Sequence, residues 1–364
     1  MGQGEYMNDI LNSEAASLGI NDFLNSAEKF TNNTFTGINI KEIFYDSLSG
    51  NIGNSLRHIG FIDIISKEFT ESMAIVVSVL IVIIIHSIFK AIIEGLDNSG
   101  GVTNVAYFVQ YLLITTVVIN SLTSIIEITK LTIENIISFM NLLIPLLTTL
   151  MLTTGMTTTT VTTEPVLLFM INFFSTFINS FIIPMLLISI TISIVSNFSD
   201  KVQLTRLSNF FESSIIWLLG IVLTIFASTL SLQGTLTNSI DTVTNKTVKA
   251  AVANFIPVVG KIMGDTVDSV IGCANILKNS VGIIGIIIII GIVFVPIIKV
   301  LALWLTFKIT ASAAEIISDT KIVNLLDKVA DSYKVLLAIL FSVSIMFIVG
   351  LSIVLKITNS SLIR

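Results

Sequence analysis

The sequence predicts an all-α polytopic membrane protein. Three observations carry that prediction. First, 53% of the 364 residues are hydrophobic and only 12% are charged, about half the charge of an ordinary soluble domain. Second, apolar runs of roughly 20 residues, the length that crosses about 30 Å of hydrocarbon as a helix, recur along the chain. Third, the polar stretches between those runs repeat with the 3.6-residue period of helices rather than the two-residue period of strands. About seven transmembrane helices are expected, together with interfacial amphipathic helices and one helix–break–helix unit.

Residues 1–70 form a polar, acidic region with nine Asp or Glu against four Lys or Arg, so this part carries the whole formal charge of −5. Segments such as "INDFLNSAEKF" and "IKEIFYDSL" read as short amphipathic helices separated by Asn, Gly and Ser clusters. No basic-then-apolar signal segment opens "MGQGEYMNDILNSEAASLGI". The block 71–232 then holds five spans, at Ser72–Ile93, Val105–Ile126, Leu131–Leu152, Val166–Asn197 and Ile215–Leu232. The fourth is too short for two crossings and is read as one helix kinked at Pro184. A threonine-rich loop, "TTGMTTTTVTTEP", precedes it. The segment 198–214 reads as an interfacial elbow with Leu204, Leu207 and Phe211 on its apolar face.

Residues 281–364 hold a sixth span, Val281–Phe307, with Pro296 as a candidate kink and Lys299 as a candidate intramembrane charge, and a seventh, Val335–Leu355. A second elbow, at 308–334, aligns Ile322, Leu326, Val329 and Tyr333 on one face. A buried charge in hydrocarbon is costly and often functional, but a lysine about eight residues from the span's end can also snorkel to the interface.

Residues 233–280 are the segment of greatest interest. On a helix, Met263, Val267, Val270, Ile271, Ala274 and Leu277 share one face. Lys261, Asp265, Asp268, Gly272, Asn275 and Asn279 share the other. Pro257 and Gly260 separate this helix from an upstream one that begins near Leu236. Two readings stay open: a pair of helices lying in the headgroup layer, or a re-entrant or subunit-facing hairpin whose polar stripe lines a cavity. Gly260-x-x-x-Gly264 permits close helix approach in the second. The candidate pore or subunit-contact residues are therefore Gly260, Lys261, Gly264, Asp265, Asp268, Gly272 and Asn275.

The exclusions are as informative. Cys273 is the only cysteine, which rules out an intrachain disulfide and a Cys-based zinc site. No phosphate-binding loop, no zinc-protease motif and no nucleophile–base–acid arrangement is present. No catalytic residue, metal site or cofactor is expected, and nothing resembles a nucleic-acid-binding surface. With seven spans, nine Lys or Arg stand on one side against seven on the other, which leaves orientation open under the positive-inside rule. A self-associating channel subunit, a stand-alone small-molecule permease and a passive scaffold all fit these residues.

The segments "SLQGT", "NFIPVVGKIMGDTVDSVIGCANILKNSVGIIG" and "SIVSNFSDKVQLTRLSNFFESSIIWLLG" resemble the stage III sporulation protein AE family of endospore-forming bacteria, over about residues 70–360. The resemblance implies a role in endospore formation, as the polytopic part of a channel or feeding-tube complex in the mother-cell membrane around the forespore. Its implied partners are a secretion-type ATPase, ring-forming single-span proteins and, indirectly, a forespore protein called Q, with further copies of the chain and membrane lipid. The family brings no catalytic residues with it.

Overall fold

In the computed structural model, residues 13, 15–31, 40–49, 61–94, 100–198, 204–255 and 259–359 are described. Among them the secondary structure is helical, with no strand, as the fold class requires. Two short helices, α1 (Ile20–Thr31) and α2 (Ile40–Ser49), precede the long ones. These are α3 (Phe61–Glu94), α4 (Gly100–Thr153), α5 (Thr157–Phe177), α6 (Ile183–Phe198), α7 (Thr205–Phe255), α8 (Val259–Ala314) and α9 (Thr320–Asn359). Six stretches are long and apolar enough to cross a membrane, α5 and α6 counting as one. The chain is a multi-pass membrane protein.

Sequence and structure differ over how the helices are divided. The predicted second and third spans lie on a single 54-residue helix, α4. Glu127, Lys130 and Glu134 suggest a turn between two spans, but Glu127 and Glu134 point outward from an unbroken helix and Lys130 is half-buried. Charged side chains interrupt an apolar pattern without interrupting backbone hydrogen bonding, because Glu and Lys are good helix formers. The threonine loop is also much shorter than predicted. Only Thr154–Met156 leave the helix, and α5 begins at Thr157. Gly155, at φ +79°, supplies the left-handed residue. Gly155 N–H bonds the Leu152 carbonyl and Met156 N–H bonds the Met151 carbonyl, which is the Schellman arrangement. Two of the threonines beyond it satisfy their hydroxyls within the helix: Thr160 donates to the Met156 carbonyl and Thr162 to that of Thr158.

Neither elbow is a separate helix. The first is largely the opening of α7, where Ser208 is fully buried, Leu204 and Phe211 are half-buried and Leu207 is exposed. Ser208 bonds Ser189 and Ser193 of α6, and three small hydroxylated residues let the two backbones close, as in many membrane helix pairs. The second is the opening of α9. Its predicted face of Ile322, Leu326, Val329 and Tyr333 is buried, but inside the bundle rather than in the headgroup layer.

At the centre, α8 packs on α9, α3 and α4, while α9 packs also on α7, α6 and α4. Gly285 marks where α4, α8 and α9 meet: a Cβ there would lie 2.8 Å from Leu143 Cδ2 and 2.9 Å from Leu351 Cδ2. Gly350 serves the α9–α7 contact in the same way, against the Phe226 ring. Farther along the axis, the Tyr333 hydroxyl pairs with Ser121 Oγ at 2.7 Å and its ring tilts against Phe307. Near the α6–α7 connection the Tyr111 hydroxyl donates to the Ile194 carbonyl at 2.7 Å. The apolar face of α1 is held against α4 by Phe23 and Phe30, both in ring contact with Phe139.

Candidate functional site

The predicted boundaries at 232/233 and 280/281 fall inside continuous helices. α7 runs through 233 to Phe255 and α8 runs from Val259 through 281, while Pro257 lies outside the described residues. Gln233 Nε2 donates to the Thr162 carbonyl, close to the α4–α5 turn. From there α7 continues for another 22 residues, about 33 Å. On the returning strand of the hairpin, Gly282 lies against Leu355 near the end of α9, and 23 residues of α8 precede it. The two arms are thus prolongations of transmembrane helices.

Among the candidate contact residues, the side chains of Gly260, Lys261, Gly264, Asp265 and Asp268 lie outside the described set. Gly272 and Asn275 are described, and they differ. A Cβ at Gly272 would meet nothing within 4 Å. Asn275, expected on the wet flank, is only 6% exposed. Its Oδ1 accepts a hydrogen bond from Lys278 Nζ at 2.9 Å, and Lys278 is itself 1% exposed. The stripe that ends in Asn275 therefore turns inward at this end, where protein covers it. A buried ammonium requires such polar company. Ala274 and Leu277 are fully buried as well, so this part of α8 is enclosed on both flanks.

Lys299 lies one turn beyond Pro296 and has acidic partners within the protein. Its Nζ lies 3.6 Å from Glu68 Oε2 and 3.6 Å from Glu71 Oε2, both on α3. The carboxylates were not singled out from sequence because they precede the first apolar run. Their three-residue spacing, which puts both on one helix face, was the available signal.

The two candidate kinks behave differently. Pro184 follows a five-residue π-helical segment, Ile178–Ile182, in which Ile183 N–H bonds the Ile178 carbonyl. The wider turn takes up the register change that proline would otherwise force on the helix. Pro296 sits inside α8 without a change of helix type, and its missing amide leaves the Ile292 carbonyl without its usual donor. Pro145 does the same within α4 and was not predicted; Thr148 and Thr149 both donate to its carbonyl.

A second polar constellation lies near the α8–α9 turn. Lys308 pairs with Asp327 and, at 3.6 Å, with Asp331. Lys328 lies 3.8 Å from Asp331 and donates to Asn209 Oδ1 of α7. This network ties α7, α8 and α9 together where the bundle approaches water. Among the described residues, no group of three His, Cys, Asp or Glu is placed to hold a metal ion.

The sequence model of the stage III sporulation protein AE family matches residues 38–358. The chain is 31% identical over 280 residues to the stage III sporulation protein AE of Bacillus subtilis (strain 168), an alignment that covers 76% of this chain and 70% of that relative. No solved structure matches it.

Proposed function

We propose, from the premise that this chain belongs to the stage III sporulation protein AE family, that it is the polytopic membrane subunit of a transenvelope channel complex. The complex joins mother cell and forespore and is required for endospore development. In this reading the chain sits in the mother-cell membrane around the forespore, self-associates, and works beside a secretion-type ATPase and ring-forming partners, with forespore protein Q on the far side. It performs no chemistry of its own.

The observation that carries this reading is the α7–α8 hairpin. α7 stays helical for 21 residues past its apolar run, through the polar sequence TLTNSIDTVTNK to Phe255, and α8 opens beyond it at Val259. Such prolonged helix pairs suit contact with another subunit or with the wall of a shared passage. A permease acting alone has less need of them.

The test is substitution along the α8 arm. Gly264→Leu and Asp268→Leu are expected to abolish spore formation and to prevent recovery of the assembled complex, with membrane insertion and protein level unchanged. Gly272→Leu is the sharper probe, because a Cβ there meets nothing within 4 Å; loss of assembly with normal folding would place a partner at that position. Wild-type sporulation in all three variants would refute the role given to the hairpin.

A further inference from the structure

The cluster formed by Glu68, Glu71 and Lys299 has a geometry that simple charge neutralisation does not require. One ammonium faces two carboxylates, at 3.6 Å from each. A charge-assisted hydrogen bond closes to about 2.8 Å, so Lys299 bonds neither and stands midway between them. Glu68 is the more enclosed of the two, with its side chain 9% exposed against 50% for Glu71, and its Oε2 accepts no hydrogen bond. The two acids are three residues apart on α3, about 4.5 Å along the helix axis. A shift of α3 by roughly half that distance, about 2 Å, in either direction brings one carboxylate into bonding range and moves the other out of it.

The surroundings favour such a shift. α3 is a peripheral helix: 28% of its apolar window is buried, against 50% for α8 and 56% for α4. Its contacts are with α8 and α4, and lipid-exposed Ile81, Ile84, Ile85 and Ile88 cover its outer face. Apolar side chains sliding past one another lose little, whereas a charge at membrane depth strongly prefers a bonded partner. Pro296 lies one turn before Lys299 and removes a backbone hydrogen bond from the α8 segment that carries the lysine.

We propose that α3 slides along α8 between two registers, selected by whether Lys299 bonds Glu68 or Glu71. The cluster is then a two-position switch of the kind in which one element steps past another. α2 precedes α3 in the chain and also packs on α8, so it lies beside the helix along which α3 steps. The inference concerns the isolated chain and does not depend on the sporulation role.

Full-length protein with Cys273→Ser, Ile81→Cys and Ile290→Cys would be spin-labelled, reconstituted into phosphatidylcholine vesicles and measured by pulsed electron paramagnetic resonance. Both labelled positions are exposed. With α3 and α8 parallel, they lie about 31 Å apart along the helix axes, so axial sliding reads out as distance. The expected result is two distance populations in the parent protein and loss of one in Glu71→Gln, with Glu68→Gln retaining the other about 4 Å away. A single population in the parent that is unmoved in Glu71→Gln would overturn the proposal. Because Glu71 is half-exposed, its amide variant keeps that outcome accessible even if Glu68→Gln fails to fold.

Discussion

At the residue scale, the bundle is held by a few hydrogen bonds made where they are dry. Tyr333 is fully buried, and its hydroxyl reaches Ser121 on a helix more than two hundred positions earlier. Tyr333→Phe is expected to cost about 1 kcal/mol, and Ser121→Ala a similar amount. The two losses should be far from additive, because each removes the same bond. Thermal unfolding of the detergent-solubilised single and double variants measures this. The buried Ser208 beside the exposed Leu207 on α7 shows why such pairings elude sequence reading. Leucine in and serine out is the rule where water surrounds a helix, but with lipid outside there is no solvent gain from burying Leu207. The hydroxyl of Ser208 gains more by finding Ser189 and Ser193. Lys299 and its proline were visible as a candidate pair, whereas Glu68 and Glu71 became its partners only once α3 was placed beside α8.

At the element scale, the π-helical segment Ile178–Ile182 absorbs about one extra residue ahead of α6. Deleting Asn179 would restore a regular helix through that segment. It would leave the rotation of α6 relative to α5 nearly unchanged, because a π turn holds about one more residue than an α turn, so Ser189 keeps Ser208 and Ile194 keeps the Tyr111 hydroxyl. That deletion should yield folded protein, whereas deleting Leu187 from the regular helix that follows turns Ser189 and Ile194 by about 100° and should yield unstable protein. Yield and melting temperature in detergent measure both arms. Sequence reading located the proline but not the segment that accommodates it, because a π turn leaves no compositional mark. It also divided α4, α7 and α8 too finely. Polar residues within a helix resemble ends in sequence, yet the cues that stop helices, such as Gly155 with its left-handed conformation, are few.

At the scale of the whole molecule, merging two predicted spans into α4 changes the parity of the crossings. One crossing for each of the six candidate helices among the described residues puts α1, α2, the connection from α7 to α8 and the end of α9 on the same side, where seven crossings would put α1 and the end of α9 on opposite sides. Cysteines placed near Ile40 and near Asn359, in a Cys273→Ser background, should therefore react with an impermeant thiol reagent from the same side of sealed vesicles. Labelling from opposite sides would restore an odd count. The apolar stretches are also longer than a bilayer needs. Tyr111–Thr153 alone is 43 residues, about 65 Å as a helix against some 30 Å of hydrocarbon. The surplus is accommodated by burial in the bundle, 56% of the α4 window being enclosed. The class of protein and its lipid address were legible from composition and periodicity; the number and length of its helices depended on contacts between segments far apart in sequence.

α8 carries one more consequence. From Val259 to Lys299 there are 40 helical steps and no change of helix type, a shaft of about 60 Å. Torque applied at its tip by a docking protein would be delivered, undamped by any loop, to the proline and the lysine that grips α3. The hairpin would then act as a crank handle as well as a mooring, letting an event outside the bilayer be felt at the depth where α3 is clasped.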